Sequence, residues 1–257
     1  MRQTLQNPVG RALRGALSAA LLLFSVAALA DGADPYPEFS AGYDVRVNGV
    51  KVGYARFSLQ HLQADEYLYE SEAGTSGLAK WLAADVARES SRWRYVDNRI
   101  QVIEYVAERD KGDADDNARL VFDRERLRVA NRGAGEHWEV EIPEGTLDPL
   151  VMQLAMLLDL RDGARRFRYP VAVRGRIKYY EFGVAGSETI TLPFGTYETL
   201  KLERLDESSD QSWIWSAPEL EYFPVRFLKQ KSNGIKTEIL LRDLEFKGPQ
   251  ELDAAIP

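Results

Sequence analysis

From Phe39 onward, apolar and polar residues alternate with a period of two, and the runs are joined by connections of only a few residues. Tyr43, Val45 and Val47 alternate with Asp44 and Arg46. The pair Asn48-Gly49 follows, and then Ala55, Phe57 and Leu59 alternate with Arg56, Ser58 and Gln60. Asn-Gly between alternating runs is a strong hairpin signal, because both residues tolerate positive φ. The same period predicts strands at 67–73, 86–95, 99–108, 119–122, 127–131 and 138–142. It resumes at 167–174, 177–184, 188–192, 198–204, 212–216, 225–230 and 235–246. Parallel pairing needs crossovers of a dozen residues or more, and these connections are too short for that. The expected fold is mainly β, an antiparallel meander curled into a barrel or a half-barrel/sandwich.

One segment breaks the period. Leu147, Leu150, Leu154 and Leu158 recur at helical spacing, and Met152, Ala155, Met156 and Leu157 fill much of the circumference. Thr146 or Asp148 can cap the start, Pro149 suits the first turn and Gly163 lies just past the end. A helix over about 147–160 is predicted. Being apolar nearly all round, it must be buried, either as a plug in the sheet's concave face or as plain core.

Residues 1–30 differ in composition from the rest. Arg2, Arg11 and Arg14 precede the apolar run Ala16 to Ala30, which ends in Ala28-Leu29-Ala30. This is the pattern of a secretory signal peptide, with cleavage expected after Ala30. The run is shorter than the roughly 20 apolar residues of a membrane span. With no cysteine in the chain, a lipoprotein anchor is excluded, and a soluble periplasmic protein is expected. The expected organisation is an extended leader at 31–38, one domain over 39–248 and a flexible tail at 249–257. Without the signal segment, 30 basic side chains face 40 acidic ones, a formal charge of −10. That balance disfavours nucleic acid, whose binding depends on Lys and Arg neutralising phosphates.

Catalytic patterns are scarce. His61 and His137 are the only histidines, no Gly-x-Ser-x-Gly elbow accompanies them, and thiolate chemistry is excluded. The acidic stretch Asp110, Asp113, Asp115, Asp116 and Asn117 lacks the order of a calcium loop and reads as a solvated turn. Neither a P-loop nor a dinucleotide fingerprint is present. No catalytic residue, metal site or cofactor is therefore assigned.

Apolar placement is more informative. Leu78, Trp81 and Leu82 fall in a segment that should be polar if it were an ordinary loop. They mark a ligand mouth, a partner patch or a tip in transient contact with a membrane, unless the loop folds back over the core. With Met152 and Met156 on the helix, and Trp213 and Trp215 on one face of their strand, they form the candidate ligand or partner surface. Core packing is the alternative for the two tryptophans.

The stretch Trp213-Ile-Trp-Ser-Ala-Pro-Glu-Leu-Glu-Tyr-Phe-Pro-Val-Arg-Phe227 resembles the DUF3108 family of uncharacterised exported bacterial envelope proteins. Similar marks are Asn48-Gly-Val-Lys-Val-Gly53, Thr75-Ser-Gly-Leu78 and Leu192-Pro-Phe-Gly-Thr-Tyr-Glu198. The resemblance implies an exported antiparallel β-protein, with no activity or catalytic residues to carry over. The expectation is a non-catalytic periplasmic binding or chaperone-like protein that takes an acyl chain or a partner segment in a curved-sheet groove. The alternatives are an adaptor for an envelope secretion or outer-membrane assembly, and an unrecognised hydrolase. Oligomeric state is left open.

Overall fold

A computed structural model describes residues 35–63, 65–77, 85–111, 117–135 and 137–247, all in one compact unit. The predicted signal segment, 1–30, and the predicted tail, 249–257, lie outside the described residues. The strands are β1 (Phe39–Val47), β2 (Val50–Gln63), β3 (Glu66–Thr75), β4 (Val86–Val96), β5 (Arg99–Arg109), β6 (Ala118–Asp123), β7 (Arg128–Asn131) and β8 (Glu139–Glu141). After helix α1 (Val151–Arg161) come β9 (Arg166–Val173), β10 (Arg176–Leu192), β11 (Gly195–Arg204), β12 (Gln211–Ala217), β13 (Phe223–Gln230) and β14 (Lys236–Phe246).

All fourteen strands form one sheet in the order β8-β7-β6-β5-β4-β3-β2-β1-β14-β13-β12-β11-β10-β9. Every neighbouring pair is antiparallel, as the short connections require. The sheet is curled but not closed. Its two edges, β8 and β9, are consecutive in sequence, and the chain between them carries α1. Leu147 ties this connection to the far edge: its N–H donates to Pro170 O at 2.9 Å, and its C=O accepts from Ala172 N at 3.0 Å. That bridge takes Leu147 out of the predicted helix, which starts at Val151.

Asp148 starts the helix. Its Oδ1 accepts the N–H groups of Leu150 and Val151, both at 2.8 Å, and so satisfies two donors that a helix start leaves open. Val151, Leu154, Met156, Leu157 and Leu160 are buried within the curl. The helix therefore plugs the lower end of the barrel, where β1 begins and β14 ends. Tyr36, from the predicted leader, is buried there against Phe39 and Phe246, and its hydroxyl donates to Glu221 O at 2.7 Å. Arg161, on the last turn of α1, lies over the Tyr36 ring. Among the described residues no helix is long and apolar enough to cross a membrane.

Two predicted strands, 177–184 and 188–192, are one 17-residue strand, β10. The residues between them form a bulge: register shifts between Val184 and Gly186, where Gly186 takes φ 152°. A bulge bends a long strand without ending it, so a polar, glycine-containing break imitates a turn in the sequence. The Asn48-Gly49 turn forms as expected, with φ of 48° and 84°.

Candidate functional site

Above α1, the inner face of the sheet encloses a cavity of about 330 Å³. Alternation decides its lining, because successive side chains of a strand point to opposite faces. On β12, Ser212 and Ile214 point inward, with Ile214 opposite Leu202 and Phe227. β1 and β2 supply Tyr43 and Phe57, β3 supplies Tyr69, and β10 supplies Tyr180 and Phe182. Phe223, Phe227 and Ile239 complete the wall from β13 and β14, and Met152, Met156 and Leu157 form the floor from α1. The Tyr43 hydroxyl is spent on Pro224 O at 2.8 Å. Burial pushes the phenols of Tyr43 and Tyr69 up, so both stay neutral.

The polar residues gather at the upper end, among the β11–β12 and β13–β14 connections. Arg204 donates to both oxygens of Asp206 at 2.7 Å, and Lys229 lies 3.0 Å from Asp210. Burial raises the Asp206 carboxyl, but the Arg204 hydrogen bonds, the Glu181 N–H and the charges of Arg204 and Lys178 outweigh it and hold the group below its ordinary range. Lys178 and Arg204 both lie over the Tyr180 ring, at 4.9 and 4.8 Å from its centre. The three cations that line the cavity, Arg204, Arg226 and Lys229, are thus each paired with a carboxylate, Asp206, Glu238 and Asp210.

Of the residues anticipated as a ligand or partner surface, Met152 and Met156 line the cavity. Trp213 and Trp215 share the other face of β12 from Ile214. Trp215 is buried there, its indole N–H donating to Glu188 at 2.8 Å and its ring lying under Arg226 and Lys201. Leu78, Trp81 and Leu82 lie outside the described residues. The aromatic wall was not singled out from sequence. Its signal was present in the parity of Tyr43, Phe57, Tyr69, Phe223 and Phe227, but which strands face one another across a barrel is not written in parity.

His61 stacks on Tyr67, and His137 is exposed beside Trp138. Asp110 pairs with Arg88 at 2.9 Å, while Asp113, Asp115 and Asp116 are outside the described residues. Among the described residues, no three His, Asp or Glu side chains converge as a metal ion would require.

A family model described as a protein of unknown function, DUF3108, matches residues 42–240. The chain belongs to that family. The DUF3108 match runs from β1 into β14 and so takes in α1 and the strands that wall the cavity. A crystal structure of a β-barrel-like protein of the domain of unknown function DUF1849 from Brucella abortus is similar in fold. It is 9% identical, with a TM-score of 0.56 over 82% of this chain and 98% of that one. A putative outer membrane lipoprotein-sorting protein domain from Vibrio parahaemolyticus aligns over 84% of this chain and 88% of its own, at 11% identity. Its TM-score of 0.27 is too low to bear on fold or function. No curated protein matches the chain.

Proposed function

We propose that this DUF3108 protein is a non-catalytic binding protein of the bacterial cell envelope that holds one acyl chain above α1. The observation that carries this reading is the cavity, lined mostly by aromatic and aliphatic side chains, with Gln153 on α1 and Ser212, Arg204, Arg226 and Lys229 on the strands as its polar groups. At about 330 Å³ it stands at the small end of the roughly 300–1,000 Å³ typical of ligand pockets, which suits one chain and not a two-chain lipid. Met152 and Met156 are unbranched and polarizable, so the floor adapts to a flexible guest. Arg204, Arg226 and Lys229 in the lining carry the hydrogen-bond donors that a carboxylate or phosphate head would use. The signal-like segment 1–30 supports export to the envelope.

The test is native mass spectrometry of the protein purified without detergent from an envelope fraction. An adduct of one single-chain lipid is expected, on a polypeptide beginning at Asp31. A bare mass, together with no uptake of a fluorescent fatty acid by the purified protein, would overturn the binding reading; a retained residue 1–30 segment would overturn the export reading.

A further inference from the structure

The unclosed seam between β8 and β9 contains a second cavity, separate from the one above α1. It is about 420 Å³ in volume. Below it, the backbone bridge of Leu147 to β9 closes the seam. On the other side Trp138, just before β8, lies against Gly175 in the β9–β10 turn, where an added Cβ would stand 3.5 Å from the indole. Ala107, Ala118 and Leu120 from β5 and β6 give the cavity an apolar back, and Pro149 and Ala172 give it sides.

Within this lining stands Glu89. It shares the inward parity of Ser91 and Trp93 on β4 and is only partly exposed. Its oxygens accept hydroxyl hydrogen bonds from Tyr105 and from Ser71, the latter at 3.3 Å. Both donors are neutral: burial, the Glu89 charge and the hydrogen bond itself all push the Tyr105 phenol up. Among the described residues no Lys or Arg forms an ion pair with Glu89. Arg174 at the rim is exposed and has an interaction of its own. A second carboxylate, fully buried Asp148, adds its field to that of Glu89. A half-buried carboxylate that is held by two neutral hydroxyls and forms no ion pair among the described residues keeps an uncompensated charge, which a cation entering the cavity would meet. A ligand that answers this charge has a defined chemistry: positive, small enough for the cavity, able to donate to Glu89, and able to lie against the Trp138 and Tyr105 rings that line it, as cations on aromatic faces do.

We propose that the seam cavity binds a primary ammonium group, with Glu89 as its counter-ion and Trp138 as its aromatic wall. The ammonium belongs either to a free alkylamine or to the ethanolamine headgroup of a phospholipid. The proposal does not depend on acyl binding above α1.

Calorimetry on the purified full-length protein with hexylammonium and its neutral isostere hexanol tests the first source. Vesicles of phosphatidylethanolamine compared with vesicles of phosphatidylglycerol test the second. In at least one arm the ammonium form should bind ten-fold or more tightly than its counterpart, and Glu89→Gln should erase that preference. Ala107→Leu, which fills the back without touching the carboxylate, should weaken binding by a similar factor and keeps the test open if Glu89→Gln fails to fold. Met156→Trp, which blocks the other cavity, should leave ammonium binding unchanged. Equal binding of ammonium and neutral forms, no saturable binding in either arm, or a preference that survives Glu89→Gln would overturn the proposal.

Discussion

Asp148 does two things at once: it caps α1 and it puts a carboxyl in the middle of the barrel. Burial pushes that carboxyl up to about 6 from 3.8; the Ser91 hydroxyl, at 2.6 Å, and the capped N–H groups of Val151 and Leu150 offset part of the rise, and the charge of Glu89 adds to it. Between those two values the native chain binds the proton more tightly than the unfolded chain does. Asp148 therefore stabilises the fold toward low pH, and that contribution is lost as pH rises from near 3.8 through 6. Asp148→Asn keeps a capping side chain but removes the titration. In urea unfolding, the stability of the wild type relative to this variant should rise by about 2–3 kcal/mol as pH falls from 7 to 4. A difference that stays level, or moves the other way, would show that the carboxyl is not buried as described.

At the scale of elements, β10 and α1 carry the shape. β10 runs for 17 residues because the bulge at Gly186 bends it without breaking its pairing with β11. The φ of 152° at Gly186 is a conformation essentially reserved for glycine. Gly186→Val is expected to cost about 1–3 kcal/mol in urea unfolding, whereas Ser187→Val, beside it and exposed, should stay within about 0.5 kcal/mol. For α1, Leu160 is fully buried on the last turn of the helix. Leu160→Ala should cost about 2–5 kcal/mol, the usual range for deleting a buried leucine side chain. A cost under 1 kcal/mol would mean that the helix is a loosely held lid and not a plug.

At the scale of the whole molecule, the barrel has a packed lower half and two spaces in its upper half, one apolar and one bearing a carboxylate. Met156→Trp should fill the first. Fatty-acid binding measured by fluorescence should fall at least ten-fold, with a stability change within the roughly 1–3 kcal/mol that added core volume costs. Retained affinity in that variant would place the acyl site elsewhere.

The period-two pattern determined much on its own. It specified the strands, their antiparallel order and the face each residue takes, because alternation and short connections are local properties. Apolar residues at helical spacing announced α1 for the same reason, and Met152 and Met156 were legible as candidates because they stood on it. Tertiary structure decided the rest. The break at 185–187 became a bulge, since only pairing with β11 distinguishes a bend from a turn. Leu147 left the helix to bridge β9, 24 residues further along the chain. Glu89 stood at a buried parity in the sequence, yet parity does not say whether a cation faces it across the barrel. Facing across the barrel is a property of curvature and of which edges meet. For this DUF3108 chain, that is where both cavities come from.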